Sequence, residues 1–253
     1  ITGNFKWVEG GGRYDFWMFK FAGVDQMTGR SLYLADTERF NVNGSAPGKA
    51  EIPTAELIEI NGKYYVTNAS SYGRRDWSGS VIPKMNGSFN TNFEYKNFSF
   101  SALFTYAIGG KVYDSSYAGL MSMSGTPGAL HSDIMNSWSG VPDGMTSTSV
   151  NRLDPNGIPA INFSQSNMNN YTSDRFLTDG SYLVVKNISL GYRLPKQLIN
   201  RIDLSSVTVV AGIENLATMT KRKGMNPQQQ WNGISTNAWV TPRTVSFGVK
   251  VGL

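Results

Sequence analysis

Thr244-Val245-Ser246-Phe247-Gly248-Val249-Lys250-Val251-Gly252-Leu253 puts Val245, Phe247, Val249, Val251 and Leu253 on one side of an extended chain, and Thr244, Ser246, Gly248, Lys250 and Gly252 on the other. Side chains alternate across a strand with period two, so the segment predicts an amphipathic β-strand. Its apolar side has no interruption. A strand of this kind either covers a core or closes a cylindrical sheet, pairing along both edges and turning its apolar side outward.

The same rhythm recurs upstream. In residues 14–22, Tyr14, Phe16, Met18, Lys20 and Ala22 oppose Trp17, Phe19 and Phe21, after the turn Gly10-Gly11-Gly12. Phe89, Thr91, Phe93 and Tyr95 oppose Asn90, Asn92 and Glu94; Phe98, Phe100, Ala102, Phe104 and Tyr106 oppose Ser99, Ser101, Leu103 and Thr105. Lys96-Asn97 between them reads as a two-residue hairpin turn. Residues 181–193 and 205–215 complete the strand set, the latter with Val207, Val209, Ala211 and Ile213 on one face. In 181–193 the apolar face is read as Tyr182, Val184, Ile188 and Leu190, with Lys186 as an exception. Such a lysine belongs at a membrane boundary, where its stem snorkels, unless the register shifts there.

Connections alternate in length. Residues 9–13, 96–97 and 194–203 are short, whereas 25–84, 111–179 and 216–242 are long. Structureless loops beyond about 12–15 residues are uncommon in compact domains, and tight turns on one side with long loops on the other are the habit of up-and-down membrane barrels. The expected fold is therefore all-β: an antiparallel up-and-down transmembrane β-barrel segment with long extracellular loops. Counting back from a descending final strand leaves the C-terminus on the periplasmic side. Short helical turns are expected at 131–138 and 195–201, the second with Pro195 in its first turn.

Composition narrows the function. No apolar run is long enough for a membrane helix. The chain has no cysteine, which removes disulfide scaffolds, zinc knuckles and thiol catalysis. The net charge of +5 comes from scattered basic residues, clustered only at Lys221-Arg222-Lys223, and no nucleic-acid-binding module accompanies it; no nucleic acid partner is expected. Ile1-Thr2-Gly3-Asn4-Phe5-Lys6-Trp7 has none of the parts of a signal peptide, so any export signal is expected upstream.

Catalytic groups do not converge. His131 is the one histidine, and without cysteine or a second histidine it builds neither a triad nor a transition-metal site. Glu56 with Glu59, and Asp174 with Asp179, are close in sequence, but glycoside hydrolysis needs two carboxylates on separate rigid elements. Asp143-Gly144 and Asp154-Pro155-Asn156-Gly157 resemble calcium-friendly turns, yet the same residues dominate ordinary turns. No enzyme, metal or cofactor is expected. The aromatic residues Tyr117, Trp138, Trp231 and Trp239 of the long connections are the candidate substrate-binding residues, since flat rings stack on sugars or cover apolar ligand surface. Packing within the loops is the alternative role for each.

Residues 174–195, Asp-Arg-Phe-Leu-Thr-Asp-Gly-Ser-Tyr-Leu-Val-Val-Lys-Asn-Ile-Ser-Leu-Gly-Tyr-Arg-Leu-Pro, closely resemble the late-barrel signature of SusC/RagA-type TonB-dependent outer-membrane transporters of Bacteroidetes. Phe21-Ala22-Gly23-Val24-Asp25 with Thr28-Gly29 is similar to that family too, as are Ile82-Pro83-Lys84, Gly109-Gly110-Lys111-Val112-Tyr113-Asp114, Gly212-Ile213-Glu214-Asn215-Leu216 and Pro242-Arg243, in the family's order. Leu253 departs from it, standing where an aromatic residue is usual. The resemblance implies a plugged barrel of about 22 strands, of which residues 1–253 are the C-terminal part, the last six or seven strands, without plug or N-terminal strands. It also implies TonB-dependent uptake of a glycan or peptide, with a SusD-like surface lipoprotein and the TonB complex as partners and outer-membrane lipid around the wall. A secreted β-sandwich carbohydrate-binding module is the competing fold; it requires short loops at both ends and a last strand buried in its own core.

Overall fold

A computed structural model of the protein describes residues 1–122, 128–199, 204–221, 224–229, 232–236 and 241–252. Two compact units emerge: Ile1–Ser80 with Tyr113–Leu177, and Val81–Val112 with Thr178–Leu253. Along the chain, the first stretch holds β1 (Asp15–Phe19), β2 (Phe21–Asp25), β3 (Ser31–Leu34), β4 (Leu57–Ile60), β5 (Lys63–Val66), the single-turn helix α1 (Ala69–Tyr72) and β6 (Arg75–Ser80). The long strands β7 (Met85–Tyr95) and β8 (Phe98–Ile108) follow, then the short β9 (Lys111–Asp114). Next come α2 (Ser115–Leu120), β10 (Leu153–Asp154), α3 (Ser166–Asn169) and the short β11 (Leu177–Asp179). The chain ends with β12 (Tyr182–Arg193), α4 (Lys196–Ile199), β13 (Ser206–Thr220), the short β14 (Ile234–Ser235) and β15 (Thr244–Gly252).

In the second unit, β15-β13-β12-β8-β7 form one sheet, antiparallel at every pairing. Tyr95 pairs with Phe98, which leaves Lys96 and Asn97 as the two-residue turn read from the sequence. Register gives the two faces their character. Phe93, Phe100, Leu190, Ala211 and Phe247 form one row across all five strands. The adjacent row, on the other face, is Asn92, Ser101, Ser189, Gly212 and Ser246. The apolar face is bare: Phe93 is 62% exposed, Leu190 49% and Phe247 81%. Leaving such side chains in water forfeits roughly 1.5–3 kcal/mol each, so this face is built for apolar surroundings. A sandwich requires the reverse, and β15 has its apolar residues outside rather than in a core.

Two expectations are corrected. Tyr182 and Val184 do not share a face with Ile188 and Leu190, because Val185 pairs with Phe104 and Asn187 with Leu103, leaving Lys186 as an extra residue in a bulge. The outer stripe is instead Leu183, Val185, Ile188, Leu190 and Tyr192, and Val184 is fully buried. Residues 14–22 are not a strand of the long sheet. They divide between β1, which pairs with β6, and β2, which pairs with β3 and β10. A wall strand needs one apolar face outside, whereas β1 covers both: Phe16, Met18 and Phe19 are all buried.

The remaining five predicted strands are those of the sheet, and their connections keep the short-long alternation. What differs is the content of the long connections. In the first unit, β10-β2-β3-β5-β4 form a second sheet. Phe19, Tyr33, Val42, Ile52, Val66 and Ala69 pack on one side of it, and Leu32, Ile60 and Tyr65 on the other. The helical turns also form, as a 3-10 turn at Ser132–Asn136 and as α4 after Pro195.

Candidate functional site

The first unit is joined internally by polar side chains that reach between distant segments. Asp25, its carboxylate without exposure, accepts from Arg152 Nε at 2.7 Å and Nη2 at 3.0 Å, from Thr28 Oγ1 at 2.7 Å and from the Met27 N–H at 3.1 Å. Burial pushes this carboxyl upward, but the Arg152 fork and the other donors outweigh it and hold the group below the ordinary carboxylate value. Lys20 Nζ sits 2.5 Å from Asp174, whose other oxygen accepts from the Phe21 N–H at 2.8 Å. Tyr33 donates to Met168 O at 2.9 Å and accepts from the Tyr171 N–H at 3.2 Å; burial pushes its phenol well up. Glu56 is engaged by Thr67 and Arg30. Asp179 accepts from the Ser181 N–H and hydroxyl, so three of the acids considered for hydrolysis, Glu56, Asp174 and Asp179, are bound up in structure, while Glu59 is exposed.

Tyr117 lies on α2, whose first turn is capped by the Asp114 carboxylate accepting from the Tyr117 N–H at 2.9 Å. Its hydroxyl donates to Asp133 Oδ2 at 2.8 Å, and its ring meets His131 and Phe176 edge-on. Trp138 donates from Nε1 to Gln26 O at 3.0 Å and lies against Gly29, where a Cβ would stand 2.4 Å from the indole. Both residues therefore make contacts within the loop unit. Trp231 and Trp239 lie outside the described residues. A narrow cleft with room for about one water molecule lies in this unit, walled by Met121, Ile134, Ile158, Pro159 and Ile161, with Asn162 and Asn170 at its edge. Neither Tyr117 nor Trp138 lines it, although Met121 caps the Tyr117 helix and Ser137, also in the wall, precedes Trp138.

Sequence reasoning passed over a further aromatic group. Trp17 and Trp77 face each other across β1 and β6, with ring centroids 4.9 Å apart. Lys6 Nζ lies 4.0 Å from the Trp17 ring centre, and Arg13 lies 5.3 Å from that of Trp7. The signal was present as basic residues beside tryptophans, Lys6-Trp7 and Arg75-Asp76-Trp77, but the pairing that assembles them required β6, hidden in a segment read as loop.

The antiparallel sheet with one apolar and one polar face defines the class, a transmembrane β-barrel wall. No family profile matches the chain. In sequence it is 26% identical over 213 residues to the TonB-dependent receptor P3 of Formosa agariphila, covering 79% of this chain and 19% of that protein. In structure it matches the RagAB peptide transporter with a TM-score of 0.62 and 21% identity, covering 94% of this chain and 22% of that one. The RagAB peptide importer matches at 0.61 in its closed-closed state and 0.57 in its open-open state. The chain is similar in sequence to a TonB-dependent receptor and in fold to the RagAB transporter, in line with its resemblance to SusC/RagA-type proteins. It spans about one fifth of the length of the relatives it matches, and these carry names of receptors and transporters rather than enzymes.

Proposed function

We propose that this chain is the C-terminal part of an outer-membrane importer that takes up an oligosaccharide or a peptide with energy relayed by TonB, as the SusC-like partner of a SusD-like surface lipoprotein. The observation that carries the reading is the pair of adjacent rows in the long sheet: Phe93, Phe100, Leu190, Ala211 and Phe247 outside, Asn92, Ser101, Ser189, Gly212 and Ser246 inside. Lipid on one side and a wet lumen on the other call for this contrast. In this reading the plug and the earlier strands belong to other parts of the protein. The long connections face the outside, and the short turns and the C-terminus face the periplasm.

The first unit is then the surface that meets substrate and lipoprotein. A substrate-facing role for Tyr117, Trp138, Trp231 and Trp239 belongs to this proposal. The test is cellular: strains lacking the gene, or lacking TonB, are compared with wild type for uptake of labelled oligosaccharide and peptide pools, and the membrane-extracted protein is examined for a co-purifying lipoprotein. Uptake that survives both losses, or recovery of the protein from the soluble periplasmic fraction, overturns the reading.

A further inference from the structure

The β1–β6 ribbon carries chemistry that the cleft lacks. Trp17 and Trp77 stand directly opposite one another, Lys6 Nζ lies 4.0 Å from the first ring centre and 5.9 Å from the second, and Trp77 is 42% exposed. Two pairs further along, past Met18 and Asp76, Phe19 stands opposite Arg75, whose guanidinium lies 4.3 Å from the Phe19 ring centre. The preceding hairpin repeats the combination: Trp7 is 56% exposed, with Arg13 5.3 Å from its ring centre. Three of the chain's six tryptophans thus fall in and beside one ribbon, each with a cation near its ring.

Lys6, Arg13 and Arg75, like Lys49, Lys63 and Arg175, have no carboxylate ion-pair partner among the described residues, in contrast to Lys20, Arg30, Arg39, Arg74 and Arg152 of the same unit. A ring face attracts a cation through its quadrupole but does not neutralise it. The ribbon therefore offers indole surface and uncompensated positive charge together, within a chain whose net charge is +5.

We propose that the β1–β6 ribbon is a binding site for an acidic saccharide, with a sugar ring lying against Trp77 and its carboxylate or sulfate held by Lys6. A pyranose presents a face of C–H groups that matches an indole, and an acidic substituent supplies the missing counter-charge. A neutral sugar leaves Lys6 and Arg75 without use. An acidic peptide satisfies the charge but not the exposed ring faces. The phosphorylated sugars of a lipid headgroup share the chemistry, and vesicles that carry them form a separate arm of the test. The proposal rests on the uptake reading for its purpose, and binding is measured without transport.

The test uses the full-length native protein extracted in detergent. Calorimetric titration compares oligogalacturonate and a sulfated galactan oligomer with a neutral malto-oligosaccharide of equal length. At least one acidic ligand is expected to bind about tenfold or more tightly than the neutral one, with affinity falling as salt rises. Trp77→Ala and Lys6→Gln are expected to weaken it by about tenfold, while Trp77→Phe retains most of it. Melting curves of all variants identify any that are misfolded, in which case Trp77→Phe and Lys6→Gln carry the comparison. The proposal is overturned by absence of binding to both acidic ligands, by equal affinity for the neutral one, or by indifference to folded Trp77 and Lys6 variants. Equal binding of poly-glutamate, or binding confined to lipopolysaccharide vesicles, overturns it as well. Loss of TonB-dependent uptake with this binding intact counts against the uptake reading alone.

Discussion

Lys186 Nζ donates to Asn215 Oδ1 at 2.9 Å, so the residue that interrupts one strand is held by the residue that interrupts the next. Asn215 adopts a left-handed φ of 52°, and its Nδ2 donates in turn to Pro242 O at 3.1 Å. The link spans β12, β13 and the approach to β15. It also explains why a lysine sits in an otherwise apolar stripe: the bulge takes it out of the alternation, and a polar partner receives its head.

Replacing Asn215 separates the conformational from the hydrogen-bonding part. In Asn215→Ala the left-handed backbone costs about 1–2 kcal/mol, and the loss of both side-chain bonds adds about 1 kcal/mol for each. In Asn215→Gly only the second cost remains. Urea midpoints for the protein refolded in detergent should fall in the order wild type, glycine, alanine. Equal midpoints for the two variants would show that backbone conformation at this position is unimportant.

Gly29 is a position where the first unit leaves no room for a side chain. It has φ 68°, its carbonyl accepts from the Ala160 N–H at 2.8 Å, and a Cβ there meets Trp138 at 2.4 Å. Gly29→Ala should destabilise this unit by about 1–3 kcal/mol through overpacking alone. Protease cleavage within residues 113–177 should accelerate accordingly. Adding Trp138→Leu to the same chain should recover part of the loss; if it makes the loss larger, the clash is not the cause.

Asp25 makes the loop unit sensitive to acid. Its folded-state value lies below the ordinary 3.8, so its contribution to stability is present above that value and is lost as pH falls through the depressed one. Thermal melts should show a steeper decline below about pH 4 in wild type than in Asp25→Asn. At neutral pH, Arg152→Leu should be the harsher change, costing about 3–5 kcal/mol because it strands a buried carboxylate. A melt of Arg152→Leu matching wild type at neutral pH would remove the ion pair from the account.

The long sheet was readable because its rule is local. Val245 to Val251, or Phe98 to Tyr106, declare a face within a few residues, and Lys96-Asn97 declares a turn. The bulge at Lys186 was visible only as an anomaly, since the residue that explains it, Asn215, is 29 positions away. The loop unit was hidden for the same reason on a larger scale. Asp25 meets Arg152 across 127 positions, and Ser31 meets Asn169 across 138, so no periodicity marks these contacts. Residues 14–22 have the alternation of a wall strand, but whether both faces are buried depends on partners such as β6 that lie far along the chain. Tyr117 and Trp138 were correctly placed in the long connections, and their ties to Asp133 and Gly29 were not legible there.

The bulge yields a test of the membrane reading itself. Ordinary alternation from Ile188 backward puts residues 186, 184 and 182 outside, whereas the register puts Val185 and Leu183 there and leaves Val184 fully buried. These 253 residues contain no cysteine, so single cysteines at 183, 184, 185, 188, 189 and 190 can be spin-labelled once any cysteine elsewhere in the protein is replaced. In lipid bilayers, labels at 183, 185, 188 and 190 should relax preferentially with oxygen, which concentrates in the hydrocarbon. Those at 184 and 189 should favour a water-soluble nickel chelate or neither reagent. The phase of this pattern should slip by one residue at Lys186. An unbroken period of two from 182 to 190 would place the bulge wrongly, and uniform access of the nickel chelate at all six sites would remove the lipid from the apolar face.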